Sequence, residues 1–158
     1  MCSLQTWLEF DIPHDTLIIG IENMENFSRI RQQRRLFESQ LRTGERNIMF
    51  VSRYPQSSDL CRWLMRIPNR YLHFGDFDLA GIRIFQTEFQ SRLGSRSSFL
   101  IPSDIEARLP NGSRERYDTQ YERFHTVSST DIQLQHLIDV INKERRGYDQ
   151  EGYIENII

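Results

Sequence analysis

An α/β fold built on a small, mainly parallel sheet is predicted by three observations. Short apolar runs rich in β-branched and aromatic residues recur along the chain: TLIIGI from Thr16, NIMFVS from Asn47, YLHFG from Tyr71 and SFLI from Ser98. Between them lie segments whose apolar residues repeat at helical spacing. Acidic residues directly follow the first and third runs, where open α/β sheets carry their ligands. Strands alternating with helices of this length predict a Rossmann-like sheet of about four strands, flanked by helices and joined by right-handed crossovers. A helical C-terminal part follows.

The first fifteen residues hold Trp7, Leu8 and Phe10 without periodicity, and Pro13 interrupts them, so residues 1–15 read as an extension ahead of a domain spanning 16–158. The Ile-rich first run fits a strand buried on both faces. Phe27, Ile30, Phe37 and Leu41 fall on one face of a helix predicted from Glu25 to Leu41, with Gly44 as its stop signal. After the second strand, Ser57 or Ser58 can cap a helix carrying Leu60, Leu64 and Ile67, which Pro68 ends. Ile82, Phe85, Phe89 and Leu93 mark the next helix, closed by Gly94. Beyond Pro102 the pattern turns to helices at 104–109, about 114–124 and 130–145, and then a short acidic segment from Tyr148.

At 158 residues, 38% hydrophobic and 27% charged, the chain has the size and composition of one globular domain. No apolar run approaches the roughly 20 residues of a membrane span, and no signal-peptide layout opens the sequence. Cys2 and Cys61 match no metal-ligand spacing, so a reducing, cytoplasmic setting without a membrane is expected. The net charge is −2, yet all but one of the 20 basic residues are arginine, which binds phosphate through two parallel hydrogen bonds. Codon bias explains that excess equally well.

Glu22 follows the first strand; Asp76 and Asp78 follow the third, one residue apart, so an extended backbone turns both carboxylates the same way. Such a pair suits Mg²⁺ (or Mn²⁺), a hard ion that takes carboxylate, water and phosphate oxygens. Glu22 could act as a general base or acid, or as a further ligand. Gly81 would bring backbone close to a phosphate at a helix start, and Gly75 would loosen the turn. Asn23 is a supporting candidate or a helix cap. His73 reads as a core or surface residue, Tyr54 as a rim residue or nucleophile, and Arg29, Arg31, Arg34 and Arg35 as a solvated face or a DNA path. D-x-D also serves glycosyltransferases and haloacid-dehalogenase phosphatases, but neither pattern accounts for Glu22.

The segments IIGIENMENF (Ile18 to Phe27) and YLHFGDFDLAGIRI (Tyr71 to Ile84) resemble the two signature blocks of the Toprim family. The likeness is nearest to the C-terminal Toprim-like domain of Wadjet JetD nuclease subunits, relatives of the topoisomerase VI A subunit. YDQE (Tyr148 to Glu151) is similar to an acidic element of the same group and makes Asp149 and Glu151 supporting site residues. The resemblance implies a Toprim fold and a metal site at Glu22, Asp76 and Asp78. It also implies Mg²⁺-dependent cleavage of DNA within a DNA-processing or plasmid- and phage-defence system. A winged-helix domain or partner subunit would supply the rest of the site, and a homodimer is compatible with it. The alternative is a non-catalytic Toprim-like module that binds DNA or a partner subunit.

Overall fold

The computed structural model describes residues 12–53 and 58–155. Its centre is a four-stranded, all-parallel sheet in the order β2-β1-β3-β4, made of β1 (Thr16–Ile21), β2 (Asn47–Ser52), β3 (Tyr71–Phe74) and β4 (Ser97–Phe99). Every residue of β1 and β3 is buried, as their unbroken apolar runs require of inner strands, whereas the edge strand β2 keeps only Val51 buried. The helices flanking the sheet are α1 (Met24–Ser28), α2 (Arg34–Glu38), α3 (Ser58–Leu64), α4 (Leu79–Phe85), α5 (Ile105–Arg108), α6 (Arg114–Phe124) and α7 (Ile132–Glu144). None of the described helices is long and apolar enough to cross a membrane.

The single helix expected from Glu25 to Leu41 is interrupted. Arg29 leaves helical geometry at φ −117°, ψ 38°, a 3₁₀ turn covers Ile30–Gln33, and α2 resumes from Arg34. The cause is a pair of buried amides. Asn26 Nδ2 donates to Gln33 Oε1 at 2.6 Å and to the carbonyl of Gln150 at 2.9 Å, while Gln33 Nε2 donates to the carbonyls of Asn26 and Arg29. A straight helix would carry Asn26 and Gln33 seven residues apart along one face. The break folds them onto each other and gives Asn26 Nδ2 and both polar atoms of Gln33 partners away from water, leaving Asn26 Oδ1 without one.

Helix α4 runs on through a π-helical turn (Gln86–Gln90) to a final turn at Ser91–Leu93, after which Gly94 adopts φ 64°. Only glycine takes that conformation without strain, which is why it stops the helix. Glu88, within the π turn, pairs with Arg53 through both guanidinium arms at 2.7 and 2.8 Å. Beneath the sheet's C-terminal edge, His73 is fully buried among the rings of Phe85, Phe89 and Phe99, and Tyr71 stacks on Phe89 at 4.9 Å.

Candidate functional site

Strands β1 and β3 are paired in register, with Ile21 opposite Phe74, so the residues just past both strands emerge side by side. The Glu22 amide donates to the Phe74 carbonyl at 3.1 Å, extending the ladder one residue beyond β1. Glu22 Oε2 then lies 3.2 Å from His73 Nε2, and His73 Nδ1 lies 3.0 Å from the Tyr71 hydroxyl. A carboxylate, an imidazole and a phenol thus form one chain from the strand end into the core. Gly75 makes room for it: a Cβ there would stand 2.9 Å from Glu22 Oε2 and 3.1 Å from His73 Nε2. His73 is therefore a core residue, and it is also the group that holds the Glu22 carboxylate.

After β3, the Phe77 backbone exchanges two hydrogen bonds with Tyr148, at 2.9 and 3.0 Å, and its ring goes to the core beside Phe74, Phe99 and Tyr153. The flanking residues, Asp76 and Asp78, turn their carboxylates the other way. Asp76 Oδ1 accepts the Gln150 amide at 3.0 Å. The Gln150 side chain, wholly buried, lies between the Phe74 carbonyl and the Asp76 amide and meets both at 3.3 Å. Asp78 Oδ1 accepts the Gly81 amide at 2.6 Å and caps α4. Gly81 is needed here because a Cβ would come within 2.4 Å of the Asp76 carbonyl; its amide is engaged by Asp78. Burial raises both carboxyl groups, Asp76 to about 6, with the neighbouring charges of Asp78 and Asp149 adding to the effect on Asp76 and the Gln150 amide and Arg116 opposing it. For Asp78, the Gly81 amide, the Gln120 side chain and Arg116 oppose burial, and the charge of Glu22 adds to it.

One guanidinium meets this cluster. Arg116 Nη1 lies 3.9 Å from Asp76 Oδ2 and 3.5 Å from Asp78 Oδ2, and it forms a close ion pair with Asp149 Oδ1. It reaches in from the first turn of α6, whose N-terminus is tied down by the Ser113 side-chain cap and by paired backbone bonds between Ser113 and Gly147. Gly147 lets the arginine stem pass: a Cβ there would stand 3.1 Å from Arg116 Cδ and 2.9 Å from Asp78 Cβ. Gln120, one turn later, accepts the Ala80 amide at 3.1 Å and fixes α6 against the start of α4.

The structure therefore brings Asp76, Asp78 and Asp149 together around Arg116, with Glu22 beside them on His73. Glu151 is turned aside to accept from Asn23 Nδ2 at 2.8 Å, and Asn23 Oδ1 caps α1 by accepting from the Glu25 and Asn26 amides. Asn23 thus acts both as the expected cap and as a tether for the C-terminal segment. Tyr54 lies outside the described residues. Arg29 and Arg34 are paired along their own helices with Glu25 and Glu38, and all four arginines of 29–35 are exposed. Sequence reasoning did not single out Arg116 or Gln150. The cue for Arg116 was an arginine three residues after a Ser N-cap, a position that favours acidic or Gln side chains.

As a donor set, Glu22, Asp76, Asp78 and Asp149 are all hard oxygens of the kind Mg²⁺ or Mn²⁺ takes, and burial leaves two of them short of compensating positive charge. That chemistry fits a divalent cation. Among the described residues no three His, Cys, Asp or Glu side chains are drawn up tightly enough to enclose one, and Arg116 stands between the carboxylates.

A family model described as a domain of unknown function (DUF7281) matches residues 8–158. No curated protein and no solved structure matches the chain.

Proposed function

Starting from the fact that the chain belongs to the DUF7281 family, whose description leaves the activity open, we propose that it is a Mg²⁺- or Mn²⁺-dependent, Toprim-like domain that cleaves DNA phosphodiesters. The observation that carries this reading is the placement of Glu22, Asp76 and Asp78 just past the C-terminal ends of two adjacent, in-register parallel strands, with both aspartates turned to one side. Asp76 and Asp78 would hold the cation. Glu22 would complete the set or take the proton of the attacking hydroxyl or water, its carboxylate aimed by His73. A cation held by Asp76 and Asp78 would supply charge neutralisation for the phosphodiester. Resemblance of the IENMENF and GDFDLAG segments to Toprim signatures supports DNA as substrate, within a DNA-processing or defence system and with a winged-helix domain or partner subunit completing the site.

A second reading has its own support. Asp78 already caps α4, and Asp76 and Asp149 are already engaged, as they would be in a non-catalytic module binding DNA or a partner subunit. Plasmid nicking with Mn²⁺ or Mg²⁺ separates the two. Cutting by the intact chain that is lost in Glu22→Gln and Asp76→Asn, with unchanged circular dichroism, supports the nuclease. DNA binding without cutting, unaltered by either substitution, favours the module.

A further inference from the structure

Arginine is a poor choice for the place Arg116 occupies. It is the third residue of α6 after the Ser113 cap, where exposed amides and the helix dipole disfavour positive charge and a capping-box partner would be Glu or Gln. The side chain nevertheless lies across the acidic cluster with one nitrogen facing three carboxylates, Asp76, Asp78 and Asp149, only 30% exposed and lodged over Gly147. Its contacts are graded. Asp149, itself half exposed, is the close partner, while the buried Asp78 and the partly buried Asp76 stand at 3.5 and 3.9 Å, beyond a strong ion-pair hydrogen bond. The guanidinium is thus held from the outer rim and placed where it neutralises the inner pair.

We propose that Arg116 is a tethered counter-ion that a divalent cation displaces on entering, and that Asp149 is the latch holding it there and not a metal ligand. The inference rests on the metal reading given above. It follows from two charges competing for the same inner carboxylates: with Arg116 in place they are partly compensated, and a cation can take them only when the guanidinium leaves. The rim position of Asp149 gives the arginine somewhere to remain paired once it has swung outwards. A guanidinium freed beside a loaded site is also placed to meet a phosphate oxygen, which its planar fork suits.

Isothermal titration of the whole chain with Mn²⁺ alone tests this without any nuclease readout. Arg116→Gln is expected to bind Mn²⁺ at least 10-fold more tightly than the native chain, and Arg116→Lys, which keeps the charge, to stay nearer the native affinity. Asp149→Asn, which loosens the latch, is expected to bind more tightly or equally. Equal or weaker binding by Arg116→Gln, with native circular dichroism, overturns the displacement. Should Arg116→Gln fail to fold, Arg116→Lys and Asp149→Asn carry the test, and a loss of affinity in Asp149→Asn overturns the latch by making Asp149 a ligand. Absence of Mn²⁺ binding in the native chain and every variant overturns the metal reading itself, a result distinct from equal binding in all of them.

Discussion

The Gln150 amide donates to Asp76 Oδ1 at 3.0 Å across 74 positions of sequence, and the same glutamine's carbonyl accepts from Asn26 Nδ2 at 2.9 Å. One residue of a short 3₁₀ turn therefore ties the D-x-D segment to the broken first helix. Gln150→Ala keeps these backbone bonds but strips the buried side chain from the Phe74 carbonyl and the Asp76 amide. The Phe74 carbonyl keeps the Glu22 amide, but leaving the Asp76 amide unpaired is expected to cost about 1–3 kcal/mol, read as a lower urea midpoint at unchanged slope.

The Tyr71 hydroxyl and His73 are both fully buried and bonded to each other. His73→Phe fits the surrounding rings but orphans the hydroxyl, so it is expected to destabilise by about 1–3 kcal/mol. Tyr71→Phe in the same chain removes the orphan. The double variant is expected to be more stable than His73→Phe alone, and simple additivity of the two losses would show that the pair is not coupled.

Asp76 has its pKa raised to about 6 in the fold, so the folded state holds a proton that the unfolded chain has already released between about pH 4 and pH 6. Stability from this group is therefore lost as pH rises through 6. In chelator-treated samples Asp76→Asn is expected to gain about 1–2 kcal/mol on the native chain at pH 8, relative to their difference at pH 4, a figure discounted for the side chain's 30% exposure. Thermal melts at the two pH values give the comparison, and a difference that does not change with pH would contradict the burial argument.

Gly75→Ala would put a methyl group 2.9 Å from Glu22 Oε2, the far end of a side chain that can swing away. The buried His73 ring at 3.1 Å must also give way, so stability is expected to fall by about 1–2 kcal/mol. Metal-dependent nicking is expected to fall about 10-fold or more, because Glu22 loses its hold on His73. Full activity in a folded Gly75→Ala chain would mean that the orientation of Glu22 is unimportant.

Residues whose structure is set by neighbours in sequence were legible from sequence. β1 and β2 end where the apolar runs end, and α6 spans the expected residues, its start set locally by the Ser113 cap. What escaped was set at long range. The kink at Arg29 exists because Asn26 and Gln33 find each other and Gln150, and nothing between Glu25 and Leu41 announces that third partner. The expected fourth strand shifts to Ser97–Phe99, although the Leu100 amide still bonds to the His73 carbonyl. Glu22, Asp76 and Asp78 stood out because strand ends can be read from the runs before them. Arg116 did not, since its meaning lies in carboxylates 38 residues before and 33 after it.

Five amides, those of Phe77, Ser113, Gly147, Tyr148 and Gln150, depend on the same small set of contacts between residues 76–78, 113–116 and 147–150. Opening any one of them would loosen the segments that protect the others, so they are expected to open as a single unit of local unfolding. Their hydrogen exchange should then run at one common rate, slower than that of the exposed loops and faster than that of β1. The same opening event would free Asp76 from Gln150 and Asp149 from Arg116 together, so the carboxylate arrangement would be lost and regained as one unit.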